Sequence, residues 1–310
     1  MRKQRIPARL VCFALTAALL CAAACAFSES WDQIYVENEW NFADGAMDIS
    51  GGIPENATGV MDRIRRNGKL RVATEPFFAP FEFTDPEKEG QEQYAGADMM
   101  LARLIAERMG VELEIIPMEF TQVMPALMEN QCDLTISAIA FTPGRAASYA
   151  LSKGYYFPDN GASVAFIIRE VDRDKIVSAE DLADKVLIAQ SNSLQEAMAA
   201  EQVYNYKEFH RAASVQAVYE AVRNGQADAG VVDLESAETY IRNNAGAGLV
   251  IAEGMRFRLE DHFRGYRVAA KKGELQLIYF VNAVINEATE YATYDAWVEQ
   301  AAKRAEELGM

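Results

Sequence analysis

The chain has 310 residues, 46 acidic and 30 basic side chains and a formal net charge of −16. This acidic balance disfavours nucleic acid and anionic lipid surfaces as partners. Two histidines, His210 and His262, have no metal-ligand partner at useful spacing, which disfavours a zinc site or a hydrolase built on histidine.

Residues 1–26 are typical of a signal peptide. Arg2, Lys3, Arg5 and Arg9 precede an apolar run, Leu10 to Leu20, that is too short to span a bilayer, and small residues follow it. We therefore expect the mature protein to lie outside the cytoplasmic membrane. Losing these four basic residues makes its charge −20 (−16 − 4).

Two kinds of processing fit the end of this signal. Ala24-Cys25-Ala26 suits cleavage and release, whereas Ala22-Ala23-Ala24-Cys25 resembles a lipoprotein box with lipidation at Cys25. The predicted location is accordingly periplasmic, or lipid-anchored on the outer face of the cell membrane. Cys132 is the cysteine left within the body, so no disulfide framework is predicted, and a small buried hydrophobe is the favoured interpretation of its side chain.

A leader segment is predicted at residues 27–65. Residues 28 to 62 show no sustained helical or strand period, yet they contain Trp31, Tyr35, Trp40 and Phe42. These aromatics favour an extended arm that lies on the body, and a stalk is the alternative.

The first lobe is predicted to begin with residues 66–160. Its pattern indicates strands at Leu70–Thr74, Glu112–Ile116 and Leu134–Ser137, with helices at Asp98–Met109 and Thr121–Glu129. Strands separated by helices predict parallel pairing through right-handed crossovers.

The same order recurs in residues 161–262, the predicted second lobe. Its elements are strands at Val186–Ala189 and Ala229–Val232, and helices at Leu194–Ala200, Ser214–Asn224 and Ser236–Asn243. The two segments therefore have the pattern of two similar open α/β units.

Two crossings between these units are predicted. Lys153–Pro158 leads through residues 159–161 into the apolar strand Val164–Ile168, and His262–Ala269 alternates again. Helices at Glu274–Ala288 and Tyr294–Glu307 follow, in a segment, residues 263–310, that returns to the first lobe. The predicted fold class is α/β, with two open α/β lobes joined by two hinge strands.

Open α/β sheets bind ligands outside the carboxyl ends of their strands. The strand ends and the loops after them supply these candidate ligand-binding residues: Glu75, Phe78, Phe81, Phe120, Ser137, Ala138, Ala140, Arg145, Ser191, Asn192, Ser193 and Asp233.

The chemistry of this set suits a zwitterion. Arg145 can hold a carboxylate by two parallel bonds, Ser193 stands at a helix start that attracts anions, and Asp233 offers a negative charge to an ammonium. The phenylalanines can enclose an apolar or cationic side chain. Structural alternatives stay open: Arg145 as a surface residue, Ser193 and Asp233 as helix caps, and the phenylalanines as core.

A resemblance to a known family becomes specific at five stretches. The chain is similar to the family 3 extracellular solute-binding proteins, the polar amino acid receptors of ABC importers, over about residues 66 to 305. The stretches are Leu70 to Phe81 (LRVATEPFFAPF), Tyr94 to Asp98 (YAGAD), Asp133 to Arg145 (DLTISAIAFTPGR), Ser152 to Phe157 (SKGYYF) and Gly225 to Asp233 (GQADAGVVD). This resemblance implies the type II periplasmic-binding-protein fold.

The resemblance also implies roles for site residues. Arg145 matches the residue that holds the ligand α-carboxylate, Ser193 its hydroxyl partner and Asp233 the acid that receives the α-ammonium. Glu75 falls where an acid in some relatives meets a cationic side chain. The side-chain cradle is implied at Phe78, Phe81 and Phe120.

The function implied is substrate binding for an ABC importer, by hinge closure around an amino acid or amino-acid-like molecule. The expected partners are this ligand and a membrane permease, and the expected state is a monomer without cofactor, metal or enzymatic activity.

The sequence departs from the family pattern at Ala138 and Ala140, where relatives often have Ser, Gly or Thr. Two alternatives stay open: a dehydratase of the cyclohexadienyl type with Glu75 as general acid, and a ligand-sensing module.

Overall fold

The computed structural model describes residues 47–157, 164–255, 257 and 265–310. The predicted signal peptide, Cys25 and the four leader aromatics lie outside the described residues. So do His262 and residues 159–161 of the first predicted crossing.

Helix α1, Gly59–Asn67, begins inside the predicted leader, so the extended arm predicted to residue 62 is wrong for its last residues. Glu274 accepts a hydrogen bond from the Val60 N–H (2.9 Å), and Gln276 accepts from the Thr58 N–H (2.9 Å). The helix buries Val60, Met61 and Ile64 in the core of the first lobe. This helix is thus part of the lobe and not of an arm.

The first lobe is built on a five-stranded sheet. The strands are β1 (Lys69–Thr74), β5 (Glu112–Pro117), β6 (Leu134–Thr135), β7 (Tyr149–Leu151) and β13 (Ala269–Lys271), in the order β5-β1-β6-β13-β7. β1 pairs in parallel with β5 and β6 as predicted, whereas β13 is antiparallel to β6 and β7. An antiparallel β13 places its first residue at the edge where β1 and β6 end.

Five further helices pack on this sheet: α2 (Ala97–Met109), α3 (Phe120–Met128), α4 (Pro143–Ser148), α8 (Leu275–Glu290) and α9 (Thr293–Leu308). The apolar side of α8 buries Leu277, Phe280 and Val281 in the cluster that contains Val72 of β1. The end of the chain therefore completes the first lobe. None of the helices in the described ranges is long and apolar enough to cross a membrane.

The phenylalanine-rich loop after β1 is partly regular. Strands β2 (Phe77–Phe78), β3 (Glu82–Thr84) and β4 (Tyr94–Ala95) form a small antiparallel sheet that the sequence pattern did not predict. Strands of two or three residues are too short to show an alternating pattern.

The second lobe has a sheet of β8 (Val164–Arg169), β9 (Val186–Gln190), β10 (Glu208–Ala212), β11 (Ala229–Asp233) and β12 (Leu249–Ile251), in the order β10-β9-β11-β8-β12. β9 is parallel to β10 and β11, whereas β8 is antiparallel to β11 and β12. Helices α5 (Leu194–Gln202), α6 (Val215–Arg223) and α7 (Leu234–Asn243) follow β9, β10 and β11. Both sheets are therefore mixed: the strands separated by helices, β5-β1-β6 and β10-β9-β11, pair in parallel as predicted, and the remaining strands pair antiparallel.

Two connecting segments meet between the lobes. Tyr266 donates its backbone N–H to the Tyr156 carbonyl and accepts from the Tyr155 N–H, both at 2.9 Å. On its other side Tyr266 forms a bridge with Ala140. Tyr155, Tyr156 and Tyr266 lie in the two predicted crossings, of which residues 158–163 and 262–264 fall outside the described residues.

Cys132 lies just before β6 and is 2% exposed. Burial raises the pKa of its thiol to about 12, so the thiol stays protonated at neutral pH. The predicted small buried hydrophobe is confirmed.

Gly96 occupies a tight turn before α2, with φ of +116° and an ideal Cβ position 2.1 Å from the Phe81 carbonyl oxygen. Because alanine would meet both backbone strain and this overlap, we expect Gly96→Ala to lower the free energy of unfolding by at least about 3 kcal/mol. Urea unfolding measures the change. Gly144→Ala is the control, since open space surrounds that position; equal midpoints for both variants would contradict the prediction.

Candidate ligand site between the lobes

Strand ends from both lobes converge on one cavity. β1 ends before Glu75 and β6 before Ser137, while β9 ends at Gln190 and β11 at Asp233. The cavity is lined by Glu75, Phe78, Glu82, Phe120, Ser137, Ala138, Ala140, Arg145, Gln190, Ser193, Leu194, Gln195, Asp233 and Tyr266. The structure thus brings together most of the predicted site, including the predicted cation Arg145 and the predicted acid Asp233.

Three predicted residues lie elsewhere. Phe81 is fully buried in the core of the first lobe, where its ring stacks on that of Phe78 with centroids 5.7 Å apart. Ser191 donates its backbone N–H to the Ala212 carbonyl (2.9 Å) at the edge of the second sheet. Asn192 is exposed in a left-handed turn, and only its carbonyl contacts a site residue.

Arg145 is positioned by the start of α4. Thr142 caps this helix by accepting the Arg145 N–H (3.2 Å), and Pro143 stands in its first turn. The guanidinium donates to the carbonyls of Ala140 (2.7 Å) and, across the cleft, Asn192 (2.8 Å). Burial lowers its pKa to about 10, so it remains a cation at neutral pH.

The Arg145 guanidinium also lies 5.7 Å from the centroid of the Phe120 ring. This distance permits a cation–π attraction that orients the charge toward the cavity.

Asp233 ends β11 and caps α7, because its Oδ1 accepts the Ser236 N–H (3.0 Å). Its Oδ2 accepts from the Tyr266 hydroxyl (3.3 Å). The carboxyl is 2% exposed, and burial raises its pKa to about 7. A buried acid with two neutral donors is stabilised in its charged form by an added cation.

Glu75 faces the second lobe from the end of β1. Its two carboxylate oxygens accept from the Gln190 Nε2 of the opposite lobe, at 2.8 and 2.7 Å, and its backbone N–H donates to the Ser137 hydroxyl (3.1 Å). Burial raises the pKa of Glu75 to about 7, against the opposing effect of the Gln190 hydrogen bond. This contact is one of the polar links that join the lobes.

A second pair of acids lies on the first-lobe side of the site: Glu82 lines the cavity and Asp98 is fully buried. Ser137 donates its hydroxyl to Glu82 (2.8 Å), while Asp98 accepts from the Ala138 N–H (2.7 Å) and the Tyr294 hydroxyl (2.6 Å). Burial, and then the charge of Asp98, raises the pKa of Glu82 well above its usual value. This raised pKa favours the protonated form of Glu82, which can donate to Asp98.

The Asp98 bond also holds Ala138 at a φ of +43°, a left-handed conformation that alanine rarely adopts. This turn directs the backbone after β6 along the cavity floor.

The cavity residues that the sequence prediction missed are Glu82, Gln190, Leu194, Gln195 and Tyr266. Gln190 could have been found from the sequence, because it is a polar residue at the end of the apolar strand β9. Tyr266 had no such signal, because it precedes β13 and reaches the site only through the antiparallel direction of that strand.

The sequence profile of the bacterial extracellular solute-binding proteins, family 3, matches residues 70–302. The chain belongs to this family. It is 30% identical over 178 residues to the arginine-binding extracellular protein ArtP of Bacillus subtilis strain 168, a match that covers 57% of this chain and 65% of ArtP. It is also 27% identical over 237 residues to a probable histidine-binding protein of Campylobacter jejuni, covering 74% of this chain and 84% of that protein.

Among solved structures, the amino acid ABC transporter substrate-binding protein AbpA of Streptococcus pneumoniae, bound to L-arginine, is similar with a TM-score of 0.71. It is 32% identical, and the match covers 79% of this chain and 98% of AbpA. The predicted two-lobed fold and the predicted solute-binding function, without enzymatic activity, are thereby confirmed. The proteins named above are described as binding proteins, which favours the binding function over the dehydratase alternative.

The raised pKa of Asp233 makes the free energy of unfolding depend on pH. Because the folded state holds this proton more tightly than the unfolded chain, Asp233 costs stability as pH rises from about 4 through 7. We expect Asp233→Asn, which keeps the cap, to gain roughly 3 kcal/mol of stability relative to the wild type between pH 5 and pH 8.5. Urea unfolding at pH 5 and pH 8.5 measures it.

Asp62→Asn serves as the control without pH dependence in this range. A hydrogen bond from Arg65 lowers the pKa of Asp62 below 3.8, so Asp62 is ionised in both the folded and the unfolded chain at pH 5 and at pH 8.5, and its loss should change stability equally at both. An Asp233→Asn difference that is constant with pH would contradict the assignment of a buried, titrating Asp233.

Proposed function

We propose that this protein binds a cationic amino acid, L-arginine first among them, between its two lobes and delivers it to the permease of an ABC importer. The observation that carries the proposal is that Arg145, Asp233 and Glu75 line one interlobe cavity. One cation and two acids match the α-carboxylate, α-ammonium and side-chain charge of such a ligand. The arginine-bound AbpA and the arginine-binding ArtP support this choice.

Arg145 and Ser193 hold the α-carboxylate in this proposal. The guanidinium is partly buried and makes its two hydrogen bonds to neutral carbonyls, so a carboxylate would add its missing counter-charge. Ser193 caps α5 by accepting the Glu196 N–H (3.0 Å), which leaves this helix start facing the same cavity.

Asp233 receives the α-ammonium and Glu75 the cationic side chain. Phe78 and Phe120 line the cavity between these groups and can enclose the aliphatic part of the ligand. A ligand guanidinium would join Gln190 in donating to the Glu75 carboxylate. Ala138 and Ala140 supply no hydroxyl, so their contribution is confined to backbone groups.

Lobe closure produces the bound state. The cross-cleft bonds of Arg145 to Asn192 and of Gln190 to Glu75 join the lobes at the site itself. A ligand that binds both walls favours the closed arrangement through its contacts with each lobe. The permease then distinguishes loaded from empty protein by this arrangement.

The family is extracellular, and the sequence features of residues 1–26 support export in the same way. We propose that the mature protein works in the periplasm or from a lipid anchor at Cys25. The residues that would decide between these locations lie outside the described ranges.

Removing the Arg145 guanidinium tests the carboxylate site. We expect Arg145→Ala to weaken L-arginine binding by roughly 3 to 5 kcal/mol, because the ligand carboxylate would be buried without a charged partner. Isothermal titration calorimetry measures the affinity, and a thermal melt checks the fold. Wild-type affinity in a folded variant would contradict the assignment.

The role of Glu75 is tested with citrulline, the uncharged isostere of arginine. We expect the wild type to prefer arginine and Glu75→Gln to lose about 2 kcal/mol of this preference, the value of a hydrogen bond to a charged group. Because the pKa of Glu75 is about 7, the arginine-to-citrulline affinity ratio should rise from pH 6 to pH 8. In Glu75→Gln the ratio should be constant.

The isostere controls for the rest of the site, since both ligands present the same α-groups to Arg145 and Asp233. A wild type that binds both equally at pH 8 would exclude a cationic ligand while leaving the amino-acid site intact.

A further inference from the structure

Tyr266 is a cavity residue that the family resemblance did not supply. It is 6% exposed and stands immediately before β13, with its backbone bridged to Ala140 on one side and Tyr156 on the other. One residue is therefore tied to the floor of the first lobe, to the other connecting segment and, through its hydroxyl, to Asp233 of the second lobe.

The two oxygens of Asp233 have different partners. Oδ1 accepts the Ser236 N–H (3.0 Å), a bond within the second lobe, and Oδ2 accepts the Tyr266 hydroxyl (3.3 Å), a bond from the connecting segment. The first bond would persist if the lobes separated. The second depends on where the connecting segment holds Tyr266.

The Tyr266 ring is held by its neighbours. The Phe81 ring meets it edge-on at a centroid distance of 5.0 Å, and the Tyr156 ring lies at 5.8 Å. Packed rings of this kind fix a side chain in one rotamer, so the hydroxyl is placed in advance of binding. This also explains why Phe81 is a core residue: it supports Tyr266 from below the cavity.

We propose that Tyr266 is a positioning residue for Asp233: its hydroxyl orients the carboxylate and favours the charged form that receives the ligand ammonium. The inference rests on the proposed role of Asp233. In this inference the Tyr266 hydroxyl, through its bond to Asp233, contributes to ligand affinity. The strength of ammonium binding then depends on where the connecting segment holds Tyr266.

The surroundings of Asp233 make this donor matter. Burial, with a smaller effect from the nearby charge of Glu235, raises the pKa of Asp233 to about 7, and the bonds from Ser236 and Tyr266 oppose this rise. The hydroxyl of Tyr219 also lies within the electrostatic reach of Asp233. Glu75, Glu82 and Arg145 line the same cavity from the first lobe.

The test is the pH profile of L-arginine binding by Tyr266→Phe. Without the hydroxyl, Asp233 ionises at higher pH, so the ratio of variant to wild-type Kd should be about fivefold at pH 6 and close to one at pH 8.5. Titration of Glu75 cancels in this ratio because both proteins contain it. A ratio that is constant across this range would show that Tyr266 only packs, and would overturn the proposal.

Tyr156→Phe is the matched control, since its hydroxyl donates to Glu235 (3.1 Å) and not to Asp233. Its Kd ratio should not follow the pH profile of Tyr266→Phe; the same profile in both variants would overturn the specific role of Tyr266.

A ligand-free measurement separates this inference from the proposed function. Carbon-detected NMR of the Asp233 carboxyl, assigned with Asp233→Asn, should show a higher pKa in Tyr266→Phe than in the wild type. An unchanged pKa would overturn the positioning role. If Asp233→Asn binds L-arginine as the wild type does, the proposed ammonium site fails, whatever the NMR titration shows for Tyr266.

Discussion

The cleft of this protein buries charges that do not neutralise one another. Arg145 donates to two carbonyl oxygens, Glu75 accepts from an amide, and Asp233 accepts from a hydroxyl and a backbone N–H. Burying an ionic group in this way costs free energy, as the raised pKa values of both acids record. In the proposed function, a ligand with complementary charges recovers that cost, so the groups that reduce the stability of the fold would also provide the affinity.

Each charge in the cleft depends on a support drawn from a different part of the chain. Thr142 fixes the start of the Arg145 helix, Ser137 joins the backbone of Glu75 to the buried Glu82, and Tyr266 reaches Asp233 from the connecting segment. Each of these charged residues is therefore held in part by a contact that does not cross the cleft.

Most of the site was predictable because strand ends are visible in the sequence. Arg145 and Asp233 follow an apolar strand or open a helix, and periodicity locates both kinds of boundary. Phe78 and Phe81 could not be separated in this way. They lie three residues apart, Phe78 at the end of β2 and Phe81 in the turn before β3, and the direction of each ring is set by tertiary packing.

Tyr266 shows a second limit of sequence reasoning. Its place beside Asp233 arises because β13 returns to the first sheet in an antiparallel direction, a pairing between residues more than a hundred positions apart. Helix α1 was missed for a different reason. Val60, Met61 and Ile64 have helical spacing, but the helix is only nine residues long and adjoins a segment without a regular period.

The attachment of α1 has a mechanical consequence. Met47, Ile49 and Ile53 pack on the first lobe. The start of α1 is hydrogen-bonded to the start of α8 in that same lobe. Any tether upstream of residue 47 would thus apply force to the first lobe alone. The second lobe would move relative to the first without opposing that force. An anchored form of the protein could open and shut as freely as a released one.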